Sequence, residues 1–241
     1  MSSRKGRKRA NQLLRAQQAA ARRRRRTVWV SVLAILVVLV AGGVTGAIVL
    51  TRHNAQRSQA YALPTGATRT SPGIPVSHGS VTVDVYLDYM CPHCKEFETL
   101  AAGPLTEFTS TNRITLVYHP LDYLDRFSSG TDYSTRAAAA AGCAADAHKL
   151  PEFSTAIFDK QPKEHSRGLT NRQIVRTAHA AGITGAAFDR CVTTQKYASW
   201  VTHVSNAAEG KGVAVTPTVF VDDRQVDASV SALTNAINSA A

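Results

Sequence analysis

The hydrophobic pattern divides the chain into stretches that ask for different surroundings. Val28 to Leu50 is a run of 23 residues, mostly Val, Leu, Ile, Ala and Gly, within an uncharged span from Thr27 to Thr51. A helix of that length measures ~35 Å, enough to cross a hydrocarbon core of about 30 Å with some tilt. Residues 52–76 are poor in apolar positions and rich in turn formers (Pro64, Gly66, Ser71, Pro72, Gly73 and Pro75), and read as a linker. The period then changes. Val81, Val83, Val85 and Leu87 alternate along a β-rich segment and predict a strand with these four on one face. Lys95 to Phe108 reads as helix, and Ser134 to His148 is an alanine-rich run of high helix propensity. Thr170-Asn-Arg-Gln173 predicts a capping box, with Ile174, Ala178 and Ala181 on one face and Gly182 as the stop. Tyr197, Val201, Val204 and Ala208 stripe a further helix, a core-packing face. There is no internal repeat.

Charge changes this picture in one place. The chain of 241 residues has 28 Lys+Arg against 17 Asp+Glu, a formal net charge of +11. Eleven of the basic residues (Arg4, Lys5, Arg7, Lys8, Arg9, Arg15 and Arg22 to Arg26) lie in residues 1–26 with no acid among them. The rest therefore carries 17 of each sign, which argues against a basic nucleic-acid-binding surface on the folded part. Positive residues before an apolar span place that end in the cytoplasm. The expected layout is a basic cytoplasmic tail (1–26), a transmembrane helix (27–51), a linker (52–76) and one extracytoplasmic domain (77–241). A cleavable signal peptide is the competing reading, although its apolar region is normally about 7–15 residues. DNA binding by the tail is another; the anionic inner leaflet is the expected partner.

The strand at Val81–Leu87 runs into Cys91-Pro92-His93-Cys94 and then into helix. Proline at the first helical position places Cys91 at the N-cap, where unpaired N–H groups and the helix dipole stabilise a thiolate. Protonated His93 would add positive charge beside it. Cys94 lies one turn in, close enough to resolve a bond formed at Cys91 and shielded by the helix. Structural zinc is the usual rival for CxxC, but Cys143 and Cys191 form no second close pair and no HxxxH is present. A purely structural bridge closing so short a loop stabilises little. The residues favour redox chemistry without a metal.

Val83 to Cys94 resembles the active-site region of the DsbA-like branch of the thioredoxin superfamily, in its membrane-anchored bacterial form, down to the Pro-His dipeptide. Gly212-Val-Ala-Val-Thr-Pro-Thr-Val-Phe-Val-Asp222 is similar to the family's second signature. Ala178 to Ile183, Phe188 to Cys191 and the helix Gln195 to Glu209 match the helical insertion in order and spacing. The resemblance implies an α/β thioredoxin fold: a mixed central sheet (Val81–Leu87, Ile114–His119, Thr218–Val221 and Arg224–Val226) flanked by helices, with an insertion at about 128–210. It assigns attack to Cys91 and resolution to Cys94. Pro217 becomes a cis-proline, where sequence alone favours the ordinary trans bond, and Thr216 becomes the residue whose backbone pairs with substrate. Pro92 and His93 tune the site. One position departs: the buried acid common six residues before the first cysteine is Val85 here. Asp88 matches an acid of related membrane-linked members, as a proton relay or as a solvated or turn-forming carboxylate.

Of three possible pairings of four cysteines, the CxxC pair plus Cys143–Cys191 leaves the active site intact; the alternative is two buried free thiols. The implied activity is disulfide donation to reduced exported polypeptides, with no cofactor and with reoxidation by a membrane redox partner. A reductase or isomerase of the same fold, or a non-enzymatic binding module, are the alternatives.

Overall fold

The computed structural model describes residues 61–240. The expected tail, transmembrane helix and first part of the linker lie outside these residues; among the described residues no helix is long and apolar enough to cross a membrane.

The centre is a mixed five-stranded sheet of order β1-β3-β2-β4-β5, made by β1 (Ile74–Pro75), β2 (Val81–Leu87), β3 (Ile114–Pro120), β4 (Thr218–Val221) and β5 (Arg224–Val226). β2 pairs parallel with β3, from Val81 opposite Ile114 to Leu87 opposite Pro120, and antiparallel with β4. Its alternating Val81, Val83, Val85 and Leu87 are all buried, and Tyr86 is buried as well, as a central strand covered on both faces requires. β4 and β5 form a hairpin whose two turn residues, Asp222 and Asp223, both adopt positive φ (46° and 61°). That is the geometry of a twist-compatible two-residue turn, which Asp tolerates.

Helix α1 (Pro92–Ser110) follows β2 and packs with α7 (Val230–Ala240) against the sheet. Between β3 and β4 lie α2 (Tyr133–Asp146), α3 (Leu150–Asp159), α4 (Asn171–Ala180), α5 (Ala186–Thr193) and α6 (Ala198–Gly210). This insertion is organised around α2, whose alanines from Ala137 to Ala141 are buried. Small side chains let α3, α5 and α6 close around it. At Gly142 even a Cβ would lie 2.8 Å from the Tyr197 ring, so glycine is required there. Thr170 and Gln173 form both halves of the capping box that starts α4. The stripe Tyr197, Val201, Val204 and Ala208 is buried on α6.

Cys143 on α2 and Cys191 on α5 are joined by a disulfide across 48 positions. The described part of the expected linker differs from expectation. Ile74 and Pro75 add an edge strand to β3, Pro72 accepts a hydrogen bond from Trp200 Nε1 (2.9 Å), and the Thr65 N–H donates to Asp146 (3.0 Å). Two ladder residues show no periodicity in sequence, and an edge strand tolerates proline because its outer N–H needs no partner.

Replacing Cys143 and Cys191 together by serine should lower the unfolding free energy by about 2–4 kcal/mol, the loop-entropy scale for this separation. Urea denaturation of the full chain checks it; an unchanged midpoint would show that the bridge contributes nothing.

Candidate active site

The turn from β2 into α1 builds the site. Cys91 is the N-cap of α1 with extended backbone, and Pro92 takes the first helical position. The turn is closed by the Cys91 N–H donating to the Asp88 carbonyl (3.0 Å) and the Cys94 N–H donating to the Cys91 carbonyl (3.1 Å). From the insertion, the Gln161 side-chain amide donates to the carbonyls of Cys91 (2.8 Å) and Tyr89 (3.1 Å).

Both cysteines are thiols here, in unequal surroundings. Cys91 Sγ donates to the Thr216 carbonyl oxygen at 3.3 Å, and the Thr216–Pro217 peptide bond is cis. Cys94 Sγ accepts from the Asp88 N–H at 3.4 Å. The Cys91 thiol is held down at about 6, chiefly by the hydrogen bond Cys94 offers its thiolate. Burial opposes this, while the Thr216 side chain and the backbone N–H groups of Cys94 and His93 assist. Burial first, then the bond to Cys91, pushes the Cys94 thiol well up. One sulfur is poised as thiolate and leaving group, and the other holds its proton.

The structure disposes of the other expected residues differently. The His93 imidazole is turned outward, with its side chain 80% exposed and 3.6 Å from the Glu96 carboxylate. Among the forces on Cys91, it is the backbone N–H of His93 that acts. Asp88 is not solvated: it is 0% exposed. Its Oδ1 accepts from the Met90 N–H (2.8 Å) and the Ser134 hydroxyl (2.7 Å), and its Oδ2 from the Leu124 N–H (3.0 Å). It is the turn-forming carboxylate, bonded two residues on to its own backbone, and it also ties the turn to α2 and to the loop after β3. Burial raises its pKa to about 7. Its contacts support no relay directed at Cys94, which meets the Asp88 backbone instead. Asp84 is paired with His119 at 2.6 Å, away from the thiols.

Glu98 was missed. It is buried on α1, one turn beyond Cys94, and burial raises its pKa to about 7. Helical spacing could have found it, because Cys94, Phe97, Glu98, Ala101 and Leu105 share the buried face. Gln161 and Ser134 were missed too, and carry no local signal. In front of Cys91 lies a groove of about 830 Å³ between the Asp122–Leu124 loop and Gly212–Thr216. Among the described residues no three His, Cys, Asp or Glu gather as metal ligands.

A reactive N-cap thiol, a buried partner thiol and a cis-proline loop on a mixed sheet with a helical insertion define a thiol–disulfide oxidoreductase of the DsbA type. The thioredoxin family model matches residues 70–239, and the chain belongs to that family. The structure resembles oxidised DsbA of Mycobacterium tuberculosis (29% identity, TM-score 0.59, covering 68% of this chain and 91% of that one). It also resembles the reduced disulfide bond oxidoreductase DsbG of the same organism (29%, TM-score 0.58, covering 76% and 84%). MdbA of Actinomyces oris, a thiol-disulfide oxidoreductase, shares the fold (23%, TM-score 0.62, covering 76% and 94%). In sequence, 110 residues are 33% identical to part of the M. tuberculosis serine/threonine-protein kinase PknE, a match over 44% of this chain and 19% of the kinase.

Two titrations follow. Thiolate absorbance near 240 nm in the reduced chain should rise with a midpoint at about 6 and be lost in Cys91→Ala; a midpoint near the ordinary 9.0 would refute the assignment. A carboxyl whose pKa rises on folding binds its proton more tightly in the folded chain. The penalty from Glu98 is therefore absent below about pH 4.5 and complete above about pH 7. Glu98→Gln should be more stable than wild type by about 1–3 kcal/mol above that window and equal below it. A pH-independent difference in urea unfolding would rule this out.

Proposed function

We propose that the chain is a membrane-anchored, extracytoplasmic thiol oxidase that donates disulfides to exported polypeptides. The single observation that carries this reading is the inequality of the two thiols. A substrate thiolate attacks Cys91 Sγ of the Cys91–Cys94 disulfide; that bond breaks, and Cys94 leaves with the electron pair and takes up a proton. A mixed disulfide now joins substrate and Cys91. The substrate's second thiolate attacks its own sulfur in that bond and expels Cys91 as thiolate. The substrate is oxidised by two electrons and the enzyme is left as the dithiol. A thiolate stabilised at Cys91 is a good leaving group and favours the reduced enzyme, which makes the disulfide form an oxidant. A membrane redox partner then takes the two electrons and restores the disulfide.

The location rests on sequence. Residues 27–51 are proposed to cross the membrane, with the basic tail in the cytoplasm and the thiols outside, where disulfides persist. Tethering raises the effective concentration of the thiols for chains emerging at the membrane and for the redox partner.

A reductase or isomerase of the same fold is the second reading, because thiol–disulfide exchange runs in either direction according to potential, and one measurement separates the two. The Cys91–Cys94 couple should have a reduction potential well above the about −270 mV of a cytosolic reductant. Wild type, but not Cys91→Ala, should oxidise a reduced secretory substrate in a refolding assay. A potential at the reductant's level without Cys91-dependent oxidation would falsify the oxidase reading.

A further inference from the structure

Cys91 opens into the groove of about 830 Å³, and the groove's walls are unequal in charge. Asp122, Glu164 and Glu209 line it against one guanidinium, Arg126. None of the three carboxylates makes an ion pair among the described residues. Arg126, whose guanidinium lies over the Phe127 ring 4.6 Å from the centroid, offsets one of the three and leaves a surplus of negative charge. The surplus is local, because the chain beyond residue 26 is balanced at 17 basic and 17 acidic residues.

Beside these charges, and the polar His93 and Thr216, the groove also presents apolar surface. Val215, 65% exposed, stands beside the cis-proline loop, and Tyr123 is held in place by its hydroxyl, which donates to the Val213 carbonyl at 2.8 Å. Burial and then the nearby charges of Glu209 and Asp122 push the Tyr123 hydroxyl up to about 12. Two carboxylates from different elements, the loop after β3 and the end of α6, thus act on one aromatic side chain.

We propose that this groove selects polypeptide segments carrying Lys or Arg within a few residues of the reacting cysteine, and disfavours acidic segments. The proposal rests on the thiol-exchange reading above and names the substrate class for it. A long basic side chain fits both features: its methylene stem covers Tyr123 and Val215 while its cationic head reaches the acidic rim. The tyrosine face adds cation–π attraction. Complementary charge mainly speeds encounter and suppresses wrong partners, so the preference belongs in the rate of attack on Cys91 and weakens in salt.

The test compares three peptides whose single cysteine is flanked by lysines, glutamates or serines. The oxidised full chain is mixed with each, and mixed-disulfide formation is followed by acid quench and mass spectrometry. Each rate is divided by that peptide's rate with a neutral small-molecule disulfide, which removes the effect of flanking charge on the peptide's own thiol. At low ionic strength the lysine peptide should react about tenfold faster than the glutamate peptide, the two converging to within about twofold in ~1 M NaCl. In the triple variant Asp122→Asn, Glu164→Gln, Glu209→Gln the low-salt ratio should fall close to one. Equal normalised rates at low salt, or a ratio that survives in the triple variant, would overturn the proposal. If no peptide, the serine one included, reacts in a Cys91-dependent way, the thiol-exchange reading itself fails and the selectivity with it.

Discussion

The site depends on a carboxyl group that has been taken out of water. Asp88 sits where β2 ends, fully buried, and would be costly there without partners. It receives three hydrogen bonds, from its own turn, from α2 and from the loop after β3. Those bonds connect the three parts of the molecule that must stay in register: the sheet, the helical insertion and the wall of the groove. The same residue's backbone N–H supports Cys94, so the position of the buried thiol and the tie between domain parts are one feature.

From that joint the asymmetry of the cysteines follows. Helix α1 begins at Cys91, so the first sulfur lies at the helix end facing the groove while the second is carried into the interior one turn later. An identical pair of side chains thereby acquires opposite acid–base character. The buried carboxyls Asp88 and Glu98 lie close to the same turn, and both have pKa values raised to about 7 by burial. The protein holds three groups that titrate near neutrality within one short stretch of β2 and α1. They act on stability in opposite senses: the lowered thiol favours the folded dithiol as pH rises, and the raised carboxyls oppose it.

The insertion does more than cover the sheet. Gln161 and Ser134 both come from it, and both hold the turn that presents Cys91. The disulfide between Cys143 and Cys191 ties α2, the helix that carries Ser134, to α5. Larger buried side chains of its neighbours, among them Phe153, Phe188 and Trp200, pack against the alanine-rich α2, and this packed core is what such contacts are built on.

Much of the fold was legible because it rests on local rules. Alternation along Val81 to Leu87, the Thr170–Gln173 capping box and the proline after Cys91 each determine nearby backbone through short-range sterics and hydrogen bonding, whatever surrounds them. The order strand, CxxC, helix by itself indicated that the two thiols would differ. What sequence could not decide were features made by residues far apart in the chain. The edge strand at Ile74–Pro75 exists only because β3 offers it a partner, and two residues bear no period of their own. Asp88 is buried because Leu124 and Ser134 close over it, whereas His93 is turned outward at the start of α1, beside Glu96. The acidic wall before Cys91 is assembled from Asp122, Glu164 and Glu209, whose proximity is invisible along the chain. Charge and burial belong to three-dimensional neighbourhoods, and only tertiary structure brings those neighbours together.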